Sequence, residues 1–156
     1  MEICKELDTD RIFLNVPLTD KDAVLRFAAE AFAAGGIVAD ADKLYEGMVE
    51  REETMSTGIG KGLAIPHSAS PDTKYPAVLV IRLAEPLDYD AIDGVPVGVV
   101  VALVAPEHDP DLHLQMLAHL ARLCQHSDFM KTVQSSEDPE RLLEKIRRIE
   151  EQIVFP

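Results

Sequence analysis

The segment Thr57–His67 ends in a Pro-His pair, and its histidine is the clearest candidate for chemistry in the chain. An imidazole can act as a nucleophile or exchange a proton near neutral pH. Pro66 has no N–H for strand pairing and forces the preceding residue into an extended conformation. We therefore expect His67 just beyond the carboxyl end of a core strand, where ligand crevices form in open α/β sheets. On these features alone, a loop histidine that only caps a turn remains an alternative.

Alternating glycines at positions 58, 60 and 62 precede that histidine, but they fit neither common phosphate-binding loop. A dinucleotide-binding fingerprint would need glycine at position 63, which is Leu63. A Walker loop would need Gly-Lys-Ser/Thr at the start of a helix, whereas Lys61 is followed by glycine and a predicted strand. Nucleotide binding is therefore disfavoured. The glycines instead predict a loop that bends sharply or closely approaches another group.

A second histidine, His113, falls within a helix predicted over residues 110–125. At about 100° per residue, three apolar side chains lie within about 40° of it: Leu117, Leu120 and Cys124. This geometry places His113 in the middle of the apolar stripe and turns His119 and His126 toward its edge or solvent. A buried imidazole needs a polar partner. His113 is therefore either a satisfied core histidine or a site residue.

The spacing of the other candidate ligands disfavours a metal site. His108 and His113 flank two aspartates, but this arrangement matches no common ligand set. Cys4 and Cys124 are too few for a metal knuckle or a disulfide framework. We expect no metal ion.

The composition predicts a single domain over residues 1–156. Hydrophobic residues make up 47% of the chain, enough for a core. A formal net charge of −13 repels phosphate backbones, which disfavours nucleic acid. The acidic surface suits a basic protein partner, but the simpler alternative is a surface that is only solvated. The N-terminus lacks the pattern of a signal peptide, and the longest apolar run, Val95–Ala105, is far too short to span a membrane. These features predict a cytoplasmic protein without membrane insertion.

Hydrophobic periodicity and turn residues predict helices at both ends of the chain and strands between them. The predicted helices are Thr19–Gly35, Asp40–Glu53, 110–125, a short one from Ser127, and Glu140–Gln152. The predicted strands are Arg11–Val16, Gly62–Ile65, Ala77–Leu83 and Val95–Val104. The last is apolar throughout, which is typical of a central strand covered on both faces. We expect an α/β fold, a single-domain sandwich of a small mixed β-sheet flanked by helices on both sides.

One stretch, Arg51–His67, resembles the enzyme IIA components of the bacterial phosphoenolpyruvate-dependent phosphotransferase system. The similarity is to the fructose/mannitol and nitrogen-regulatory branch. That branch carries an Arg-Glu pair and then Thr-Gly-x-Gly-x-Gly-x-Ala-x-Pro-His, which ends in the phosphorylated histidine. The resemblance continues at Val99–Ala105, Pro106 and Leu112–Leu114, and it extends over nearly the whole chain, residues 7–150.

The resemblance implies a phosphoryl carrier without a bound cofactor, whose phosphoryl group comes from phosphoenolpyruvate. His67 would accept it from the phosphohistidine of an HPr-type carrier protein, while Arg51 and His113 would complete the site. A neutral imidazole attacks phosphorus directly, so catalysis would be positioning and charge stabilisation. Four residues are expected to support the phosphate site: Thr57, Gly58, Gly60 and Ser68. The alternative for Arg51 is an ion pair with a nearby carboxylate: Asp42, Glu52 or Glu53.

Three outputs of such a carrier remain open. The chain shows neither a phosphorylatable cysteine domain nor a membrane span, since Cys4 precedes any plausible strand and loop. This pattern favours a regulatory carrier of the nitrogen-regulatory type over a sugar-transport IIA subunit that passes phosphate to a IIB cysteine. A third possibility is an interaction domain that has lost transfer, which the intact Arg51, His67 and His113 disfavour. The stretch Glu85–Asp93 is less similar to the family, so partner contacts there are not predicted.

Overall fold

In the computed structural model, which describes residues 3–153, an open six-stranded mixed sheet carries helices on both faces. The strands are β1 (Leu7–Val16), β2 (Gly58–Gly60), β3 (Leu63–Ala64), β4 (His67–Ser70), β5 (Ala77–Leu87) and β6 (Val97–Pro106). The helices are α1 (Lys21–Ala34), α2 (Ala41–Thr54), α3 (Pro110–Gln125), α4 (Phe129–Ser135) and α5 (Pro139–Glu151), with a 3-10 helix at Ile3–Lys5. This architecture confirms the predicted α/β class.

The strand order is β1-β5-β6-β3-β2, and β4 pairs with β6 further along the same edge as β3. Strand β6 runs antiparallel to β5 and parallel to both β3 and β4, while β1 is parallel to β5. The apolar β6 is therefore central, as predicted, and side chains along it are buried on both faces of the sheet. Its carboxyl-terminal half carries β4 and hence His67.

Two hydrophobic cores enclose the sheet. Side chains of α1 and α2, including the fully buried Phe32, pack on one face. The other face is covered by α3, α4, α5 and the 3-10 helix. Within β5, Val78 and Val80 enter the second core while Leu79 and Ile81 enter the first, the alternation that a pleated strand requires. No helix within residues 3–153 is long and apolar enough to cross a membrane.

The structure corrects several predicted boundaries. Strand β1 begins at Leu7 rather than at Arg11, because its polar early residues lie on the exposed edge of the sheet and mask the strand pattern. Strand β5 continues past the predicted end to Leu87. The N-cap of α1 is Asp20, whose carboxylate accepts from the Ala23 N–H at 2.7 Å, and not Thr19.

The predicted loop position of His67 is wrong, because His67 is the first residue of β4. Pro66 does interrupt the strand: pairing with β6 stops at Ala64 and resumes at His67, which lies opposite Leu103. The interruption is short because the Pro66 carbonyl still accepts from the Leu103 N–H at 3.0 Å. Proline removes a donor but leaves its acceptor, so the chain stays registered along β6.

Close packing at Gly58 predicts a large loss of stability in Gly58→Ala. An added Cβ would lie 2.8 Å from the Cβ and 2.9 Å from the Cα of Ala91. Overpacking of this kind costs about 1–3 kcal/mol, measurable as a lower free energy of unfolding in urea. Gly35→Ala is the control, because its nearest contact would be 3.5 Å and its expected change is within about 1 kcal/mol. Equal stability of the Gly58→Ala variant and the unsubstituted protein would contradict the packing of β2 on Ala91.

Candidate active site

Three elements bring the predicted site residues together. Strand β4 presents His67, the last turn of α2 presents Arg51, and the first turn of α3 presents His113. They line an open cleft of about 560 Å³ between these elements, and Leu114, 69% exposed, stands at its rim. The site is thus built from two helices and the strand edge between them.

The hydrogen bonds of His67 define its tautomer. Its Nδ1 lies 2.8 Å from the Ile65 carbonyl oxygen, and its Nε2 lies 3.2 Å from Nε of Arg51. A carbonyl only accepts and a guanidinium only donates. The neutral ring must therefore carry its proton on Nδ1 and hold a lone pair on Nε2. That lone pair points toward Arg51 at the edge of the cleft.

Arg51 does not form the alternative surface ion pair. Its Nη1 donates to the Met55 carbonyl at 3.0 Å, and its Nε donates to His67. The nearby carboxylates have other partners: Asp42 pairs with Arg26 at 2.6 Å, and Glu52 pairs with Lys21 at 3.1 Å. In the described part of the chain, no carboxylate reaches the Arg51 guanidinium within ion-pairing distance. This leaves a cation directed at the unprotonated nitrogen of His67.

His113 lies against His67, with the ring centroids 5.6 Å apart and the ring planes at 83°. It is only half-buried, at the edge of the buried face of α3 and not in the middle of it. That face consists of Met116, His119, Leu120, Leu123 and Cys124. The predicted central position was therefore wrong, although the predicted proximity to His67 is what the structure shows.

The predicted position of His119, at the edge of the apolar stripe or in solvent, is also wrong, because His119 lies on the buried face of α3. Its side chain is 7% exposed, and Nε2 lies 2.9 Å from the Glu150 carboxylate on α5. That carboxylate also accepts from the backbone N–H groups of Ile3 and Cys4. A buried polar side chain is tolerated when its partners satisfy it. His119 is thus a structural histidine that fastens the 3-10 helix to α3 and α5.

The four residues expected to support the phosphate do not all reach the cleft. Ser68 lines it, and its hydroxyl donates to the Ala69 carbonyl at 3.0 Å. Thr57 is buried against Glu52, Gly58 packs on Ala91, and an added Cβ at Gly60 would face Asp93. The sequence reasoning also missed Gly47, where an added Cβ would lie 2.5 Å from the Ser68 hydroxyl oxygen. Among residues 3–153, no three His, Cys, Asp or Glu side chains converge as metal ligands would.

The pH dependence of the site follows from the environment of His67. Burial lowers its pKa from the ordinary value, and the Arg51 charge also lowers it, against the opposing effects of the Ile65 carbonyl and Glu52. We therefore expect the midpoint for protonation of Nε2 to lie below pH 6.5, so that most of the protein keeps this lone pair at neutral pH. An NMR titration of the His67 ring measures this directly.

A midpoint at or above pH 6.5 in that titration would contradict the assigned environment. The lowered pKa also determines how the free energy of unfolding changes with pH. Just below pH 6.5 the unfolded chain binds more protons at this position than the folded chain. The contribution of His67 to the free energy of unfolding therefore decreases as the pH falls through that window.

Comparison with known proteins identifies the family. The family model described as "Phosphoenolpyruvate-dependent sugar phosphotransferase system, EIIA 2" matches residues 6–149. A nitrogen regulatory protein of Pseudomonas aeruginosa is 35% identical over 136 residues, which is 87% of this chain and 88% of the relative. The crystal structure of nitrogen regulatory protein IIA-Ntr from Neisseria meningitidis superposes with a TM-score of 0.85 at 26% identity. That match covers 92% of this chain and 98% of the other.

A third match shares the fold at 20% sequence identity, with a TM-score of 0.71. It is an NMR structure of enzyme IIAMtl in complex with phosphorylated enzyme IIBMtl from Escherichia coli, and it covers 88% of this chain and 96% of that chain. The family match spans most of the chain and includes the cleft with His67, Arg51 and His113. The chain therefore belongs to the EIIA 2 family of the phosphoenolpyruvate-dependent sugar phosphotransferase system.

Proposed function

We propose that this chain is a phosphoryl carrier in which Nε2 of His67 accepts a phosphoryl group from the phosphohistidine of an HPr-type protein. The observation that carries the proposal is the tautomer of His67. The Ile65 carbonyl holds the proton on Nδ1, so the nitrogen nearest to Arg51 is the one with the lone pair. A lowered pKa keeps that lone pair available at neutral pH.

The proposed step exchanges one phosphorus–nitrogen bond for another. The Nε2 lone pair of His67 attacks phosphorus while the bond to the donor imidazole breaks, and that bond's electron pair returns to the donor ring. No base is needed, because Nε2 carries no proton to remove. The proton remains on Nδ1, hydrogen-bonded to the Ile65 carbonyl oxygen, so the product ring carries a positive charge. When the phosphoryl group moves on, this protonated ring departs from phosphorus as neutral imidazole, which is a good leaving group.

Arg51 and His113 have supporting roles in this proposal. The Arg51 guanidinium would leave Nε2 as phosphorus approaches and donate to the phosphoryl oxygens, where charge-assisted bonds are stronger than a bond to a neutral ring. His113 stands edge-to-face against His67 at the start of α3 and confines the ring on its open side. Burial and the neighbouring His67 both lower the pKa of His113, so it meets the phosphoryl group as a neutral donor or acceptor.

The onward step is proposed to be regulatory, through protein contacts that phosphorylation changes. The 35% identity to a nitrogen regulatory protein supports this choice. The second candidate is transfer to the cysteine of a IIB partner, because a chain of the same fold forms a complex with a phosphorylated IIB. Both candidates depend on phosphorylation of His67, whereas an interaction domain that has lost transfer would not.

The direct test is phosphorylation of the purified protein. We would incubate it with labelled phosphoenolpyruvate, enzyme I and an HPr-type carrier, and then measure acid-labile label on the chain. The proposal expects label that depends on both added proteins. Label that never appears, with an authentic enzyme IIA as the positive control, would overturn the carrier function.

A second experiment separates the two outputs. The phosphorylated protein is offered purified IIB domains, and loss of label from the chain is followed with time. Retention of label in the presence of every IIB supports the regulatory role. Rapid transfer to one IIB would instead assign the chain to sugar transport.

A further inference from the structure

Glu52 is a buried carboxylate next to Arg51 in the last turn of α2. Successive helix residues point about 100° apart, so Arg51 faces the cleft while the Glu52 side chain, 5% exposed, faces inward. Burying a carboxylate is costly unless it is paired and hydrogen-bonded. Glu52 meets this condition with three donors: the Thr57 N–H at 2.8 Å, the Thr57 hydroxyl at 2.5 Å and Lys21 Nζ at 3.1 Å.

A continuous set of hydrogen bonds links this carboxylate to the reactive ring. Both donor groups of Thr57 bind Glu52, and the Thr57 carbonyl in turn accepts from the Ile65 N–H at 2.9 Å. The Ile65 carbonyl then accepts from Nδ1 of His67 at 2.8 Å. Glu52 thus holds the backbone of Thr57 in place, and Thr57 in turn holds the backbone of Ile65, whose carbonyl contacts the ring.

Two further side chains, Lys21 and Tyr89, enclose the pair formed by Glu52 and Thr57. The ammonium of Lys21 pairs with the carboxylate and lies 4.9 Å from the centre of the Tyr89 ring. Since Thr57 spends its only hydroxyl proton on Glu52, the contact of 3.1 Å between the Thr57 and Tyr89 hydroxyls requires Tyr89 to donate. Burial raises the pKa of Tyr89, which keeps that donor protonated.

We infer that Glu52 is a positioning residue that acts through Thr57 and Ile65 to hold the proton of His67 on Nδ1 and the lone pair on Nε2. Neutral imidazole has two tautomers, and the alternative one places a proton on Nε2, where phosphorus must bind. The Ile65 carbonyl disfavours this alternative tautomer because it needs a proton on Nδ1. Arg51 disfavours it as well, because its Nε–H needs a lone pair on Nε2. The importance of this tautomer for transfer rests on the proposed function, but the tautomer itself does not.

The test is Glu52→Gln, which keeps the side-chain shape but removes the charge and replaces one acceptor oxygen with a donor. Nitrogen-15 NMR of the His67 ring, in protein without phosphate, reports the tautomer. We expect a single Nδ1–H form in the unsubstituted protein and a mixture of tautomers in Glu52→Gln. Transfer from the phosphorylated carrier should slow by about ten- to a hundredfold, the range found when outer partners that orient metal-ligating histidines are removed.

Glu53→Gln is the matched control, because it makes the same charge change at the next, exposed residue. It should change neither the tautomer nor the rate. Slower transfer in a folded Glu52→Gln protein with an unchanged tautomer would overturn the inference and leave Glu52 a structural role. The tautomer is measured without transfer, so a missing phosphorylation reaction in the unsubstituted protein would sink the proposed function separately.

A second variant decides the matter if Glu52→Gln does not fold. Thr57→Val removes the hydroxyl bond to Glu52 but keeps the N–H bond, and Thr57→Ser keeps both. We expect a partial shift of tautomer in Thr57→Val and none in Thr57→Ser. An unchanged His67 tautomer in folded Thr57→Val would count against the hydrogen-bond series.

Discussion

Replacing His67 with glutamine should abolish phosphorylation of the chain. Glutamine is similar in size and polarity to histidine and keeps β4 in place, but its amide nitrogen has no lone pair available for attack on phosphorus. Acid-labile label from phosphoenolpyruvate should fall from about one group per chain to background, as expected when the only nucleophile of a covalent transfer is removed. The measurement is label on the purified variant after incubation with enzyme I and the HPr-type carrier.

One other histidine variant and one NMR measurement provide the controls for this result. His108→Gln changes an exposed residue after β6, and it should leave the label unchanged. In the unsubstituted protein, NMR should place the phosphoryl group on Nε2 and not on Nδ1, because Nδ1 is bound to the Ile65 carbonyl. Label that persists in His67→Gln would move the acceptor to another residue and remove the basis of the proposed function.

The central residues of the cleft were predictable because they lie in or near one continuous motif. Arg51 and His67 are separated by a short hairpin, so their meeting depends mostly on local structure, and the structure places them 3.2 Å apart. His113 was predicted from the resemblance, and its ring does lie against that of His67, although helix geometry placed it wrongly in the middle of the buried face.

Residues that depend on distant packing could not be predicted in this way. Glu52 looked like one of several surface charges, because its burial requires β2 to fold back on the end of α2. The burial of His119 could not be predicted because its partner, Glu150, lies on α5, 31 residues away in the sequence. A signal for His119 was present: Met116, Leu120 and Leu123 recur at helical spacing around it. A buried face centred on His113 excludes His119, whereas the observed face includes it.

Strand β4 shows a limit of a different kind. Its sequence, His-Ser-Ala-Ser, lacks the β-branched and alternating pattern that predicts a strand. Its extended form is imposed by pairing with residues Leu103–Pro106 of β6. Strand β6 consists entirely of apolar residues and glycine. A short polar edge segment can thus be a strand because of its neighbour. This pairing places the reactive histidine on a rigid element instead of a loop.

Replacing Arg51 with glutamine should slow phosphoryl acceptance by about a hundred- to a thousandfold, the effect of removing one preorganised donor that stabilises transition-state charge. The guanidinium is the one cation whose bond to the reactive nitrogen the structure defines within the described residues. Rapid-quench measurement of transfer from the phosphorylated carrier gives the rate constant. The rate constant of Arg51→Lys should fall between those of the unsubstituted protein and Arg51→Gln, because an ammonium keeps the charge but loses the planar arrangement of donors.

The control for charge is Arg26→Gln, because Arg26 is a half-exposed arginine on α1 that pairs with Asp42 and does not line the cleft. It should transfer at the rate of the unsubstituted protein. A folded Arg51→Gln protein with that same rate would show that Arg51 does not act on the phosphoryl group. A second readout is independent of transfer: the Arg51 charge lowers the pKa of His67, so the pKa should rise in Arg51→Gln.

The direction of the rate change also tests how Arg51 is used. Before transfer, its Nε–H occupies the Nε2 lone pair at 3.2 Å, so phosphorus can bind only after this bond opens. Removing the bond alone would speed acceptance. The hydrogen bond from Arg51 to His67 is long, and its acceptor is a neutral ring. Hydrogen bonds from arginine to phosphoryl oxygens join two charged groups, and they are shorter and often bidentate. The gain in the transition state should therefore exceed the cost of opening, and the net effect of Arg51→Gln should be a loss.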